Sequence, residues 1–132
     1  MKRFLLVWSM ILGSACGPTE ENDTHHAPAI SNFVYQPNTI TTDTDFTIFC
    51  SVDYEDAGAD IVFFDYLVHF PTGTLFEGEQ LEAEGTYGVA EGTADFHTYV
   101  HVTVAGDYVE EIWLIDEKGA ESNRLEATFT VR

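Results

Sequence analysis

At 132 residues the chain has room for one domain and a short tail, which excludes a second core. Its hydrophobic content of 45%, with 14% aromatic residues, suffices for a packed interior and excludes wholesale disorder. The 23 acidic against 5 basic residues give a formal net charge of −18, a field that repels phosphate backbones and anionic head groups and so excludes nucleic acid as a partner.

Lys2 and Arg3 precede an apolar run from Phe4 to Leu12, and the small residues Gly13, Ser14 and Ala15 precede Cys16. This layout makes residues 1–15 a signal peptide. The run is far below the roughly 20 residues of a stable membrane span. Leu12-Gly13-Ser14-Ala15-Cys16 resembles the bacterial lipobox, whose cysteine is acylated and becomes the first residue of the mature chain. Gly13 stands where the lipobox prefers leucine, so plain cleavage after Ala15 is the other reading. Gly17, not aspartate, follows the cysteine; the resemblance therefore implies an outer-membrane or cell-surface position. Residues 16–29, from the lipidated cysteine through His25-His26 to Ala29, are polar and Pro-containing and read as a flexible tether. Cys50 is the only other cysteine, so acylation of Cys16 leaves it as a buried free thiol.

From residue 30 onward the pattern has period two, broken by Gly, Pro, Asn and Asp about every ten residues, as in an antiparallel sandwich. In the first clear strand Phe46, Ile48, Cys50 and Val52 share one face. In the second, Val62, Phe64, Tyr66, Val68 and Phe70 form the inward row, with Asp65 and His69 opposite. The third, 94–104, turns Phe96, Val100, Val102 and Val104 inward and His97 and His101 outward. The fourth runs from Tyr108 to Asp116 and the fifth through Leu125, Ala127, Phe129 and Val131. Weaker strands near Ser31–Tyr35 and Leu75–Leu81 bring the number to about seven. No stretch has helical periodicity.

The stretch from Val104 to Asn123, with Gly106-Asp107-Tyr108, an alternating strand, Asp116, Gly119 and Ser122-Asn123, resembles the penultimate strand and final hairpin of bacterial extracellular immunoglobulin-like and PKD-like modules. Pro28 to Asn32 and the acidic, Gly-containing loop after the first clear strand also match. The resemblance covers residues 28–132 and implies an all-β immunoglobulin-like sandwich over 30–132. It makes Tyr108 a tyrosine-corner residue, its hydroxyl bonded to nearby backbone. Antibody-type domains carry a cysteine two residues further on, and this chain has Glu110. Fold likeness implies no activity.

Three candidate sites follow. Asp53, Asp56 and Asp60 lie in one loop, and in this topology Asp116 comes to the same end of the sandwich. Converging carboxylates suit Ca²⁺, which takes six to eight oxygens, while turn-forming Asp and Gly in a solvated loop explain the same residues without an ion. Leu67, Val109, Trp113 and Ile115 face away from the core and form an aromatic-centred interaction face, unless the segment after Pro71 folds over it. His97 and His101, four apart on a strand, stand about 13 Å from each other and cannot share a metal's coordination shell. No Ser-His-Asp spacing, nucleophile elbow, Cys-His pair or phosphate loop occurs, so no enzyme is expected. The expectation is a non-catalytic, lipid-anchored envelope protein presenting an interaction module to a protein or polysaccharide, with a calcium-binding module as the alternative.

Overall fold

The computed structural model describes residues 25–132; the signal peptide, Cys16 and most of the tether lie outside the described residues. Nine strands and no helix occur among them: β1 (Ala29–Gln36), β2 (Thr39–Ile40), β3 (Asp45–Glu55), β4 (Ile61–His69), β5 (Leu75–Glu77), β6 (Leu81–Glu82), β7 (Glu91–His101), β8 (Gly106–Asp116) and β9 (Leu125–Val131). One sheet has the order β1-β3-β7; the other has the order β2-β9-β8-β4-β5, with β6 also on β4. All pairings are antiparallel except β2 with β9. This is the immunoglobulin-like sandwich that the alternation implies, with β3 and β8 as the central strands of the two sheets.

The core forms because the odd–even pattern places one row of each strand between the sheets. Ile48, Val52, Ile61, Ile112 and Leu114 are fully buried, each worth about 1.5–3 kcal/mol of apolar burial. One cluster gathers Ile30, Val52, Tyr54, Ile61, Phe64 and Leu114 at the end where the described chain begins. The other gathers Tyr35, Ile48, Cys50, Tyr108, Phe129 and Val131. Phe33 and Phe96 pack against both.

Two inward assignments change. Pairing of β4 with β8 shifts between Ile61 and Phe63, so a bulge at Val62 lets both Ile61 and Phe64 face the core, and Val62 is only half-buried. Val104 is 46% exposed, because β7 ends at His101 and Val104 lies in the connection that follows. Its carbonyl, not its side chain, serves the fold: it accepts the Tyr108 hydroxyl at 2.8 Å, which is the tyrosine corner. Cys50 is a buried free thiol, its ionisation pushed up first by burial and then by the Glu110 carboxyl.

Candidate metal centre

The acidic loop is shorter than its sequence suggests. Asp53 belongs to β3 and is not part of the cluster: its carboxylate accepts from Asn32 Nδ2 at 2.8 Å and Thr93 Oγ1 at 2.7 Å, bonds that hold it below the usual carboxylate range. The strand turns it to the outer side of the sheet, opposite the buried Val52 and Tyr54.

The other three aspartates do converge. Asp56, Asp60 and Asp116 are all buried. Asp56 is consumed by its own turn, Oδ1 accepting from Gly58 N at 3.2 Å and Oδ2 from Asp60 N at 2.8 Å, the bonding of an Asx-turn. Gly58 gives the turn room there, since a Cβ would stand 2.6 Å from Asp60 Oδ1 and force that carboxylate to shift. Asp116 uses Oδ1 to accept from Lys118 N at 2.9 Å and Ala120 N at 2.8 Å, which closes the β8–β9 turn. The two loops are joined where Glu117 N donates to the Asp60 carbonyl at 2.9 Å.

This bonding leaves one oxygen of each ligand carboxylate over. Asp60 Oδ1 and Asp116 Oδ2 are buried and have no hydrogen-bond partner. Into the same space comes His25, a residue that reads in sequence as part of a solvated tether. Its Nε2 stands 2.7 Å from Asp116 Oδ2, out of hydrogen-bond alignment, so that it too lacks a partner. Ligand atoms of His25, Asp60 and Asp116 all lie within 4.8 Å of one another. Burial, then the charges of Asp116 and Asp56, push the Asp60 carboxyl above its usual range. A cation placed among these atoms would satisfy all three and relieve that repulsion.

The donor set bears on which ion fits. Ca²⁺ requires six to eight oxygens, whereas the free donors here are one imidazole nitrogen and two carboxylate oxygens. Three such ligands with open positions suit Zn²⁺ or a similar first-row ion. The four-aspartate calcium set thus loses Asp53 to β3 and Asp56 to the turn, and gains His25. In sequence the His25-His26 pair offers imidazoles that could bind a metal weakly, but nothing in residues 20–27 says which carboxylates they meet, because His25 reaches the site only through the docking of the chain against the β8–β9 turn.

The expected interaction face is also altered. Trp113 is only 7% exposed, because the Arg124 guanidinium lies 3.7 Å from its ring centroid. Leu67, Val109 and Ile115 are half-buried. The segment after Pro71 adds β5 edge-on to β4. A row of exposed aromatic surface lies on the other sheet, where Phe49 on β3 (63% exposed) and Tyr99 on β7 (76% exposed) flank His97, with ring centroids 6.3 and 5.3 Å from it. Outward parity of Phe49, His97 and Tyr99 was the sequence signal for this row.

No protein-family model matches the chain, and no curated protein matches it. Solved structures do share its fold. The PKD domain of a peptidase from a Thermoplasmatales archaeon aligns with TM-score 0.52 at 19% identity, over 81% of this chain and 97% of that one. A superoxide reductase (neelaredoxin) from Ignicoccus hospitalis aligns with TM-score 0.51 at 13% identity, over 81% of each chain. The alkylpurine DNA glycosylase AlkC of Pseudomonas fluorescens aligns with TM-score 0.53 at 17% identity, over 80% of this chain but 30% of its own length. These likenesses establish an immunoglobulin-like β-sandwich, an architecture that such different proteins share.

Proposed function

We propose that this chain is a non-catalytic, lipid-anchored protein of the bacterial cell envelope, acylated at Cys16, whose immunoglobulin-like module binds a divalent cation at its loop end and engages a protein or polysaccharide partner. The observation that carries the cation reading is the convergence of His25, Asp60 and Asp116 within 4.8 Å, with buried oxygens of both aspartates lacking any hydrogen bond. His25 is on the segment between anchor and sandwich, so a bound ion would staple the tether to the domain and restrict its swing. In the interaction reading the partner stacks on the exposed Phe49–His97–Tyr99 row, since aromatic anchors dominate such contacts.

The test is a thermal melt of the untagged full chain in detergent after EDTA treatment, with Zn²⁺, Ca²⁺ or Mg²⁺ added at matched ionic strength. A site filled at one hundred times its dissociation constant adds about 2.7 kcal/mol, or a midpoint shift of roughly 10 °C or more. The expected result is a Zn²⁺-selective shift that Asp60→Asn abolishes. A shift with Ca²⁺ alone would return the site to a calcium module, and no shift with any ion would leave His25 and Asp116 as a plain ion pair. The anchor is tested by fractionation, where Cys16→Ser should move the protein from membranes to the soluble fraction.

A further inference from the structure

The sheet β1-β3-β7 ends at β7, whereas the facing sheet continues past β4 to β5. Constant-type immunoglobulin domains have a fourth strand beside the counterpart of β7; here that side of the interior is open. A cavity of about 240 Å³ occupies it. Its walls include Tyr66, Phe70 and Phe76, with Tyr35 and Glu110 among its inner lining. Phe76 is half exposed and stands at the mouth, while Glu110 is 1% exposed.

Glu110 is the anomaly. It occupies the β8 position two residues beyond the corner tyrosine, where antibody domains carry the disulfide cysteine, and the thiol of Cys50 is within its electrostatic reach. Glu110 Oε1 and the Tyr35 hydroxyl are both buried without a properly aligned hydrogen-bond partner, although the two groups are neighbours. A buried carboxyl with one oxygen left over destabilises a core that an apolar residue would fill better. A ligand entering from the open side would satisfy it.

We propose that this cavity is a binding site for a small organic ammonium ion with an apolar body, its N–H groups donating to Glu110 and to the Tyr35 oxygen and its body lying among Tyr66, Phe70 and Phe76. Aromatic faces attract organic cations, and the chain's net charge of −18 concentrates cations around it. The volume is below that of sites for drug-sized ligands. At the roughly 30 Å³ of a water molecule, it admits a ligand of about eight non-hydrogen atoms. This site is separate from the metal centre and does not depend on it.

The test is ligand-observed and ¹⁵N-detected NMR titration of the full chain with phenethylammonium, against 2-phenylethanol as the neutral match. The expected result is saturable binding of the ammonium, at least about tenfold tighter than the alcohol, with shift changes at Tyr66, Phe76 and Glu110. Glu110→Gln should remove that preference, and Phe76→Ala, a change at the exposed mouth that leaves the core intact, should weaken ammonium binding severalfold. Equal binding of the two probes, an undiminished preference in Glu110→Gln, unchanged affinity in Phe76→Ala, or no binding of the ammonium would each overturn the proposal.

Discussion

Arg124 places its guanidinium 3.7 Å from the Trp113 ring centroid while its Nη1 donates to Glu111 Oε1 at 2.8 Å. One side chain thereby covers the aromatic of β8 and neutralises a carboxylate two residues before it on the same strand. Removing Arg124 gives up a cation–π contact and an ion pair together, each worth about 0.2–1 kcal/mol at a partly exposed site. Arg124→Ala should lower the melting midpoint by a few degrees and increase quenching of Trp113 fluorescence by iodide.

The same pair sets a pH dependence. The Arg124 bond holds the Glu111 carboxyl below the usual carboxylate range, with His69 adding to it and burial opposing. A folded-state value depressed below the unfolded one, about 4.3, stabilises the fold above that pH, and the contribution is lost as pH falls through the folded value. The stability gap between the parent and Glu111→Gln should therefore be present at pH 5 and close below about pH 4 in denaturant titrations.

Glu110 has the opposite sign. Burial raises its carboxyl, and the Tyr35 hydroxyl only partly counters this. The neutral form is the one the core tolerates, so its contribution is fully present below the unfolded value and is lost as pH rises through the folded value. Without ligand, Glu110→Gln should melt above the parent at pH 8 and match it near pH 4; a lower midpoint at pH 8 would contradict this account.

Tyr108 is tested by removing one atom. Its hydroxyl donates to the Val104 carbonyl at 2.8 Å, while its ring stacks on Phe129 at 4.9 Å between centroids. Tyr108→Phe keeps the stacking and should cost about 1 kcal/mol, or roughly 4–8 °C in melting midpoint. Tyr108→Ala should cost about 3–5 kcal/mol.

Asn123 joins the first strand to the last hairpin. Its Oδ1 accepts from Ile30 N at 2.8 Å and its Nδ2 donates to Ile30 O at 2.9 Å, replacing a backbone ladder step with an amide side chain. Asn123→Ala removes both bonds and leaves the Ile30 N–H and carbonyl unmatched, at a cost of about 1–3 kcal/mol. Amide exchange at Ile30 should accelerate while that of Ile112 stays slow.

Local pattern was enough for the architecture. Alternation in β3, β7 and β8 places Ile48, Val52, Phe96, Ile112 and Leu114 inward, because successive side chains of a strand must point to opposite faces. That period leads directly to the sandwich, and the Gly106-Asp107-Tyr108 start identifies the corner. Only tertiary structure decided the rest. The Val62 bulge depends on how β4 registers against β8, and the burial of Trp113 depends on the reach of Arg124 from just ahead of β9. Neither leaves a local periodic mark. The candidate metal site is half legible: an acidic loop and Asp116 are visible as composition, but which carboxylate oxygens remain free depends on turn hydrogen bonds that occupy Asp56 and spare Asp60 Oδ1. His25 joins them across most of the chain's length, and the Glu110 cavity exists because one sheet stops a strand short of its partner. Such juxtapositions arise from which strands pair and where a sheet ends, quantities set by packing of the whole domain.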